Sequence, residues 1–420
     1  MQTDLYDLPI STQSDAAATA YRLGQHRLLG AEARIVEAFE DCIAHDPGFA
    51  LGHVGLSRAR QYANDMAGAR AATATARDLA QGVTDREAGH IHAMGLLTDG
   101  KLTDAYTAIR AHVGAHPRDA VVAQTCTSVF GLIGFSGQPG REAEMLAFNA
   151  SLLPHYGEDW WCLSQYAFAL CETGQLAKAT RQIDRALALN PDNANGAHVR
   201  SHVLYETGET ETGRSYLADW VGHHDRDGFL HGHLSWHVAL WALEQGDEAG
   251  MWAVMDADVA PGTCKALPIN VLTDTASLLF RAEAAGVAVD PARWRQISDY
   301  AAQFFPSCGN AFVDTHAALA HAMAGNGEEL SRIITSPRGN AADLVPDLAE
   351  GFAHIARGNW AEATAHLTAA MADHARIGGS RAQRDLLELA LLTALLRQGR
   401  AEEARHITAL RRPVLMRAVA

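Results

Sequence analysis

The chain is poor in several things, and each shortage narrows what it can be. Aromatic residues make up 7% of its 420 residues. With an alanine-rich, strongly periodic sequence, that argues against a strand-rich fold and for an all-α one. The longest apolar run, Leu386 to Leu396, is broken by Glu388 and Thr393 and is too short to span a bilayer. No basic cluster stands out, and 34 Lys and Arg against 49 Asp and Glu give a net charge of −15. Neither nucleic acid nor an anionic membrane is therefore an expected partner. The cysteines at 42, 126, 162, 171, 264 and 308 form no C-x-x-C pair, which points to reduced, buried thiols. The start, Met1-Gln-Thr-Asp-Leu-Tyr-Asp, has no basic n-region and no apolar h-region. A cytoplasmic protein without a secretory signal is the expectation.

What the chain does have is a repeat. At this length it exceeds one ordinary core, so it must be several domains or an array. Residues 160–191 carry helical periodicity to Cys171, a break at Gly174, a second amphipathic stretch from Ala177 to about Leu189, then Asn190-Pro191. Ala167, Gly174, Ala179, Ile183, Ala186 and Pro191 fall at the spacing of a tetratricopeptide repeat, with small residues where two helices touch. The register recurs at Gly100, Ala105, Ile109 and Pro117, and again at Gly30, Gly358 and Gly399. The expected fold is an all-α, right-handed, tetratricopeptide-repeat-like superhelical solenoid. Residues 1–420 should form a single continuous array of about ten helix pairs, curled around a groove or cavity. Irregular breaks are expected near 257–268 and 305–311.

On that scaffold two spacings carry chemistry. His198-x-x-x-His202 and His233-x-x-x-His237 each put two imidazoles on one face of a helix. With Gly208 and Gly246 as inter-helix turns, all four fall at positions that line the inner wall, and His90 registers there too. Glu206 lies one turn beyond His202. Helices 194–206 and 231–244 are expected side by side, so the four histidines should share one water-filled concavity. They are the candidate metal ligands, although no H-E-x-x-H pattern marks a zinc hydrolase. The bland alternative is histidines hydrogen-bonded in a helix interface. Gly134-Phe-Ser136-Gly137 has the wrong spacing for a nucleophile elbow. Ser380, after Gly378-Gly379, is placed to cap a helix from Arg381 whose backbone amides could bind an anion.

A wider resemblance rests on segments spread along the chain. They are Leu8–Thr12, Phe49–His53, Thr84–His90, His198–His202, His233–Leu240, Asp274–Arg281, Asp314–His316 and Gly378–Asp385. In this order the chain resembles the tetratricopeptide repeat protein 38 family over nearly its whole length. It departs from that pattern at Leu234-Ser235. The resemblance implies a solenoid without an assigned reaction, and it marks polar residues at His53, Arg86, Glu87, Asp274, Arg281, Asp314, His316, Gln383, Arg384 and Asp385. The functional expectation is binding of a small molecule or a peptide end in a histidine-rich pocket built from His90, His198, His202, Glu206, His233, His237, Arg281 and Arg384. The alternative is an enzyme, hydrolase-like and metal-dependent, using the same cluster. His202, His237, Asp274, Asp314 and His316 are then the catalytic candidates. The sequence names no ligand, and beyond a divalent metal it suggests no cofactor.

Overall fold

The computed structural model describes residues 2–409. Met1 and residues 410–420 lie outside them, as do the expectations that reach to either end of the chain. After a pair of two-residue antiparallel strands, β1 (Gln2–Thr3) and β2 (Pro9–Ile10), the described chain is helical. Its helices come as consecutive hairpins. The first five are α1 (Asp15–Gly30) with α2 (Ile35–His45), α3 (Ala50–Tyr62) with α4 (Met66–Asp78), α5 (Asp85–Thr98) with α6 (Leu102–Ala115), α7 (Ala120–Thr127) with α8 (Arg141–Tyr156), and α9 (Trp160–Glu172) with α10 (Leu176–Leu189). Then follow α11 (Ala194–Thr207) with α12 (Thr210–His223), α13 (His231–Glu244) with α14 (Glu248–Val254), and α15 (Pro268–Ala284) with α16 (Pro291–Phe304). The last are α17 (Ala311–Ala324) with α18 (Gly327–Thr335), α19 (Val345–Ala356) with α20 (Trp360–Met371), and α21 (Arg381–Arg397) with α22 (Ala401–Ala409). This is an all-α, tetratricopeptide-like solenoid.

The turns follow the expected chemistry. Gly174 and Gly208 have φ of 75° and 73°, the left-handed conformation that ends a helix and that glycine adopts without steric cost. At the first hairpin the left-handed residues are not Gly30 but Ala31 and Arg34, at φ 56° and 61°, because the hairpin turns after the glycine rather than at it. The break near 257–268 begins as a π-helical turn over Met255–Val259 and then unwinds. Residues 305–310 are likewise irregular.

First helices stack on first helices: α1 on α3, α3 on α5, α7 on α9, α9 on α11, α13 on α15, α15 on α17. The superhelix curls until distant hairpins meet. Asn195 donates to the Leu29 carbonyl at 2.7 Å and Tyr62 stacks on Phe229 at 4.4 Å. Arg141 reaches the Ala375 and Gly379 carbonyls at 2.6 and 2.7 Å. At the other end α21 turns inward onto α15 and α11. Buried apolar residues form two cores, one drawn from residues 6–203 and the other chiefly from 194–404. Helix α11 feeds both, giving Val199 and Val203 to the first and Leu204 and Tyr205 to the second. At this seam the backbones of α11 and α13 stand further apart than those of α13 and α15. Imidazoles fill the gap.

Candidate functional site: a histidine quartet beside an interior cavity

The i,i+4 spacing works as expected on both helices. His198 and His202 leave one face of α11, His233 and His237 leave one face of α13, and one ligand nitrogen from each lies within 4.8 Å of the others. Nε2 of His198 is 2.8 Å from Nε2 of His202 and 3.0 Å from Nε2 of His233. His237 stands 4.7 Å from His202 and 5.1 Å from His233 between ring centroids. Behind the group, His233 Nδ1 donates to Asp274 of α15 at 2.7 Å. Phe168, Trp236 and Trp241 wall it in. Neither ring nitrogen of His237 has a hydrogen-bond partner among the described residues.

The expectation of imidazoles facing a water-filled groove needs correcting. His202 and His237 are 0% exposed and His233 3%; only His198 is partly open. The reason is that the four rings pack against one another and against Phe168, Trp236 and Trp241. Burial, and then repulsion from the neighbouring imidazoles, hold His198 and His237 well below the ordinary histidine range, so both are neutral near pH 7. Burial pushes the Asp274 carboxyl up, and its bond to His233 opposes that.

His198, His202 and His233 border a cavity of about 660 Å³ inside the curl. Phe168, Phe130, Phe229 and Trp161 give it apolar walls, and Gln124, Gln165 and Arg58 add polar ones. Arg58 donates to Gln124 at 3.1 Å, to Gln61 at 2.7 Å and to the Tyr62 hydroxyl at 2.9 Å. All three partners are neutral. The sequence reading missed this N-terminal wall. A signal was present in the polar stripe Arg58, Gln61 and Tyr62 on the first helix of its hairpin.

Other candidates are placed elsewhere. His90 is apart from the quartet: its Nδ1, His112 Nε2 and Arg86 all donate to one oxygen of Asp119 at 3.0 Å. Burial pushes Asp119 up, but His90, His112 and Arg86 outweigh it and hold the carboxyl well below its usual range. Arg86 also reaches the Pro9 carbonyl at 2.9 Å, and Glu87 accepts from Ser11 at 2.6 Å. This cluster ties the N-terminal segment to α5. Arg281 is engaged by Ser277 and the Ala382 carbonyl, and it borders a second hollow of about 1090 Å³ with Tyr205, Leu240 and Leu389. Arg384 is engaged by the Gly379 carbonyl and Glu142. Glu206 lies 3.6 Å from Arg381. Asp314 accepts from the Gly309 amide at 3.1 Å, and burial pushes it up to about 6. His316 donates to the Phe312 carbonyl at 2.7 Å, and burial lowers it to about 4. Ser380 caps α21, with Gln383 closing the capping box. The amide of Arg381 at that helix start is taken by the Glu172 carboxylate at 2.9 Å, so the anion expected there is part of the chain itself.

No family model matches the sequence. Solved structures to which the chain is similar include the human IFIT1 dimer with m7Gppp-AAAA, at 13% identity over 95% of this chain and 89% of that one, with a TM-score of 0.46. Yeast Tom70 matches at 13% identity over 96% and 87%, with a TM-score of 0.35. The P58(IPK) TPR domain matches at 14% identity over 92% and 99%, with a TM-score of 0.21. With scores this low, the fold rests on this chain's own helical hairpins. Among the described residues no helix is long and apolar enough to cross a membrane.

Proposed function

We propose that residues 1–420 form one continuous helical-repeat array whose function is to bind a small organic molecule carrying an anionic group in the cavity at the seam. Arg58 carries this reading. It is a half-buried guanidinium bordering an aromatic cavity, with only neutral hydrogen-bond partners and no ion pair among the described residues. A charge drawn out of water gains most from an opposite charge, and a carboxylate or phosphate on the ligand would supply it. The carboxylate end of a short peptide offers the same chemistry. A volume of about 660 Å³ is in the usual range for a small-molecule site.

The supporting features are consistent. Helix α11 belongs to both cores, which favours one array over two domains. Most segments behind the resemblance to the tetratricopeptide repeat protein 38 family lie on first helices of hairpins around the interior, which supports that kinship. All six cysteines are thiols, in keeping with the cytoplasm. A catalytic role has less behind it. His233 and Asp274 make a dyad, but the free nitrogen of that histidine is aimed at His198 rather than at open space.

Denaturing extraction of the purified protein, followed by mass spectrometry, should release an anionic organic molecule. The same molecule should raise the melting temperature of emptied protein, and Arg58→Gln should weaken its binding at least tenfold. Protein that carries nothing and gives no thermal shift with a library of organic anions would refute the proposal.

A further inference from the structure

We propose that His198, His202, His233 and His237 form a binding site for one divalent transition-metal ion of the imidazole-preferring class, zinc, copper or nickel. The inference does not depend on what the adjoining cavity holds.

The first argument is where the lone pairs point. Asp274 accepts from His233 Nδ1 at 2.7 Å. In the neutral ring that bond leaves Nε2 as the lone pair, and it faces His198 Nε2 at 3.0 Å. His202 Nε2 faces the same His198 atom at 2.8 Å. At most a shared hydrogen serves this three-nitrogen contact, and His237 brings two more ring nitrogens without partners. Buried polar atoms are normally satisfied. A cation among the four rings satisfies one lone pair from each at once.

The second argument is size. Zinc at about 2.0–2.1 Å from each nitrogen in a tetrahedron sets the ligands about 3.3–3.4 Å apart. The ligand nitrogens here lie within 4.8 Å of one another, two pairs at 2.8 and 3.0 Å, so small rotations of the rings bring them to that spacing. Third, the outer shell is built. A carboxylate on the far nitrogen of a metal-binding histidine fixes its tautomer and raises its basicity, and Asp274 stands there. His198, the one partly open ring and a residue of the cavity wall, gives an ion a way in.

The other histidine cluster shows the contrast. His90 and His112 converge on the Asp119 carboxylate, but Arg86 already supplies the cation at 3.0 Å. The quartet has carboxylate support for one ring and no guanidinium at its centre.

The test uses the full chain, treated with chelator and desalted, then titrated with Zn²⁺, Ni²⁺, Cu²⁺ and Co²⁺. One equivalent should bind per chain and raise the melting temperature. The Co²⁺ form should show the visible spectrum of tetrahedral nitrogen ligation. Asp274→Asn should weaken binding about 10–100-fold, the double variant His198→Gln/His233→Gln should abolish it, and His53→Gln, remote from the quartet, should bind as wild type. If the double variant does not fold, His198→Gln alone replaces it, since that ring is partly exposed and its loss should cost little packing. Folded wild-type protein that takes up no equivalent of any of the four ions overturns the proposal. So does uptake unchanged in the folded histidine variant, which would put the ion elsewhere. Organic-ligand binding is measured on chelator-treated protein, so either proposal can fail without the other.

Discussion

His237 and His198 sit 5.6 Å apart between ring centroids, yet they should respond differently to truncation. His237 is fully buried against Trp236 and Trp241, so His237→Ala opens a cavity and should cost about 2–4 kcal/mol. His198→Ala borders an existing space and should cost under about 1 kcal/mol. Urea denaturation of metal-free protein checks the pair, and equal losses would contradict the assigned burial. A pH effect belongs to this scale as well. His316 and His321 are held down to about 4 by burial, against 6.5 for the free side chain. The unfolded chain takes up those protons first, so stability falls as pH drops from about 6.5 to 4, by about 3 kcal/mol for each at most. Asp314, raised to about 6 by burial against 3.8, acts with the opposite sign: the folded state gains stability as pH falls from about 6 to 3.8. Asp314 thus offsets about one of these two histidines. His316→Gln should therefore raise the unfolding free energy at pH 4.5 relative to that at pH 7, compared with wild type.

At the scale of the element, close helix approach is the sensitive variable. A Cβ at Gly55 in α3 would come within 2.2 Å of the Phe39 ring on α2. That ring is 0% exposed and cannot swing into solvent, so Gly55→Ala should destabilise by about 1–3 kcal/mol. Gly114 in α6 meets nothing within 4 Å, and Gly114→Ala should stabilise by about 0.5–1 kcal/mol through the helix backbone alone. Thermal melts that move in the same direction for both would contradict this packing. The capping box at Ser380 and Gln383 starts the helix that packs onto α15 and α11, and Ser380→Ala should cost about 1 kcal/mol.

For the whole molecule the question is what keeps the superhelix curled. Arg141 is buried and donates to carbonyls of Gly134, Ala375 and Gly379 at 3.1, 2.6 and 2.7 Å, the last two more than 230 residues away along the chain. Burial, and then the like charge of Arg384, lower it to about 10, still charged at pH 7. Arg141→Ala strands those acceptors at about 1–3 kcal/mol each where they stay buried. It should expose residues 372–380 to protease and enlarge the radius of gyration in small-angle scattering. An unchanged scattering curve and cleavage pattern would show that the curl holds without it. Cleavage at 257–268 should leave no separately stable fragment, because α11 and α21 pack across the array.

The sequence by itself determined the elements and the faces they present. Helix periodicity, glycines such as Gly174 and Gly208 at the turns, and the i,i+4 histidine spacing are local properties, written within a few residues. They were enough to place α11 and α13 and to bring four imidazoles to one wall. What those imidazoles meet was decided only by the tertiary structure. Phe168 of α9 and the tryptophans of α13 close over them, Asp274 arrives from α15 to fix one ring, and Arg58 completes the cavity from the opposite part of the curl. His90 shares their register but is held by Asp119 and Arg86. These outcomes depend on contacts between residues tens to hundreds of positions apart. No spacing within a repeat encodes such contacts, since they follow from the accumulated curvature of the whole stack.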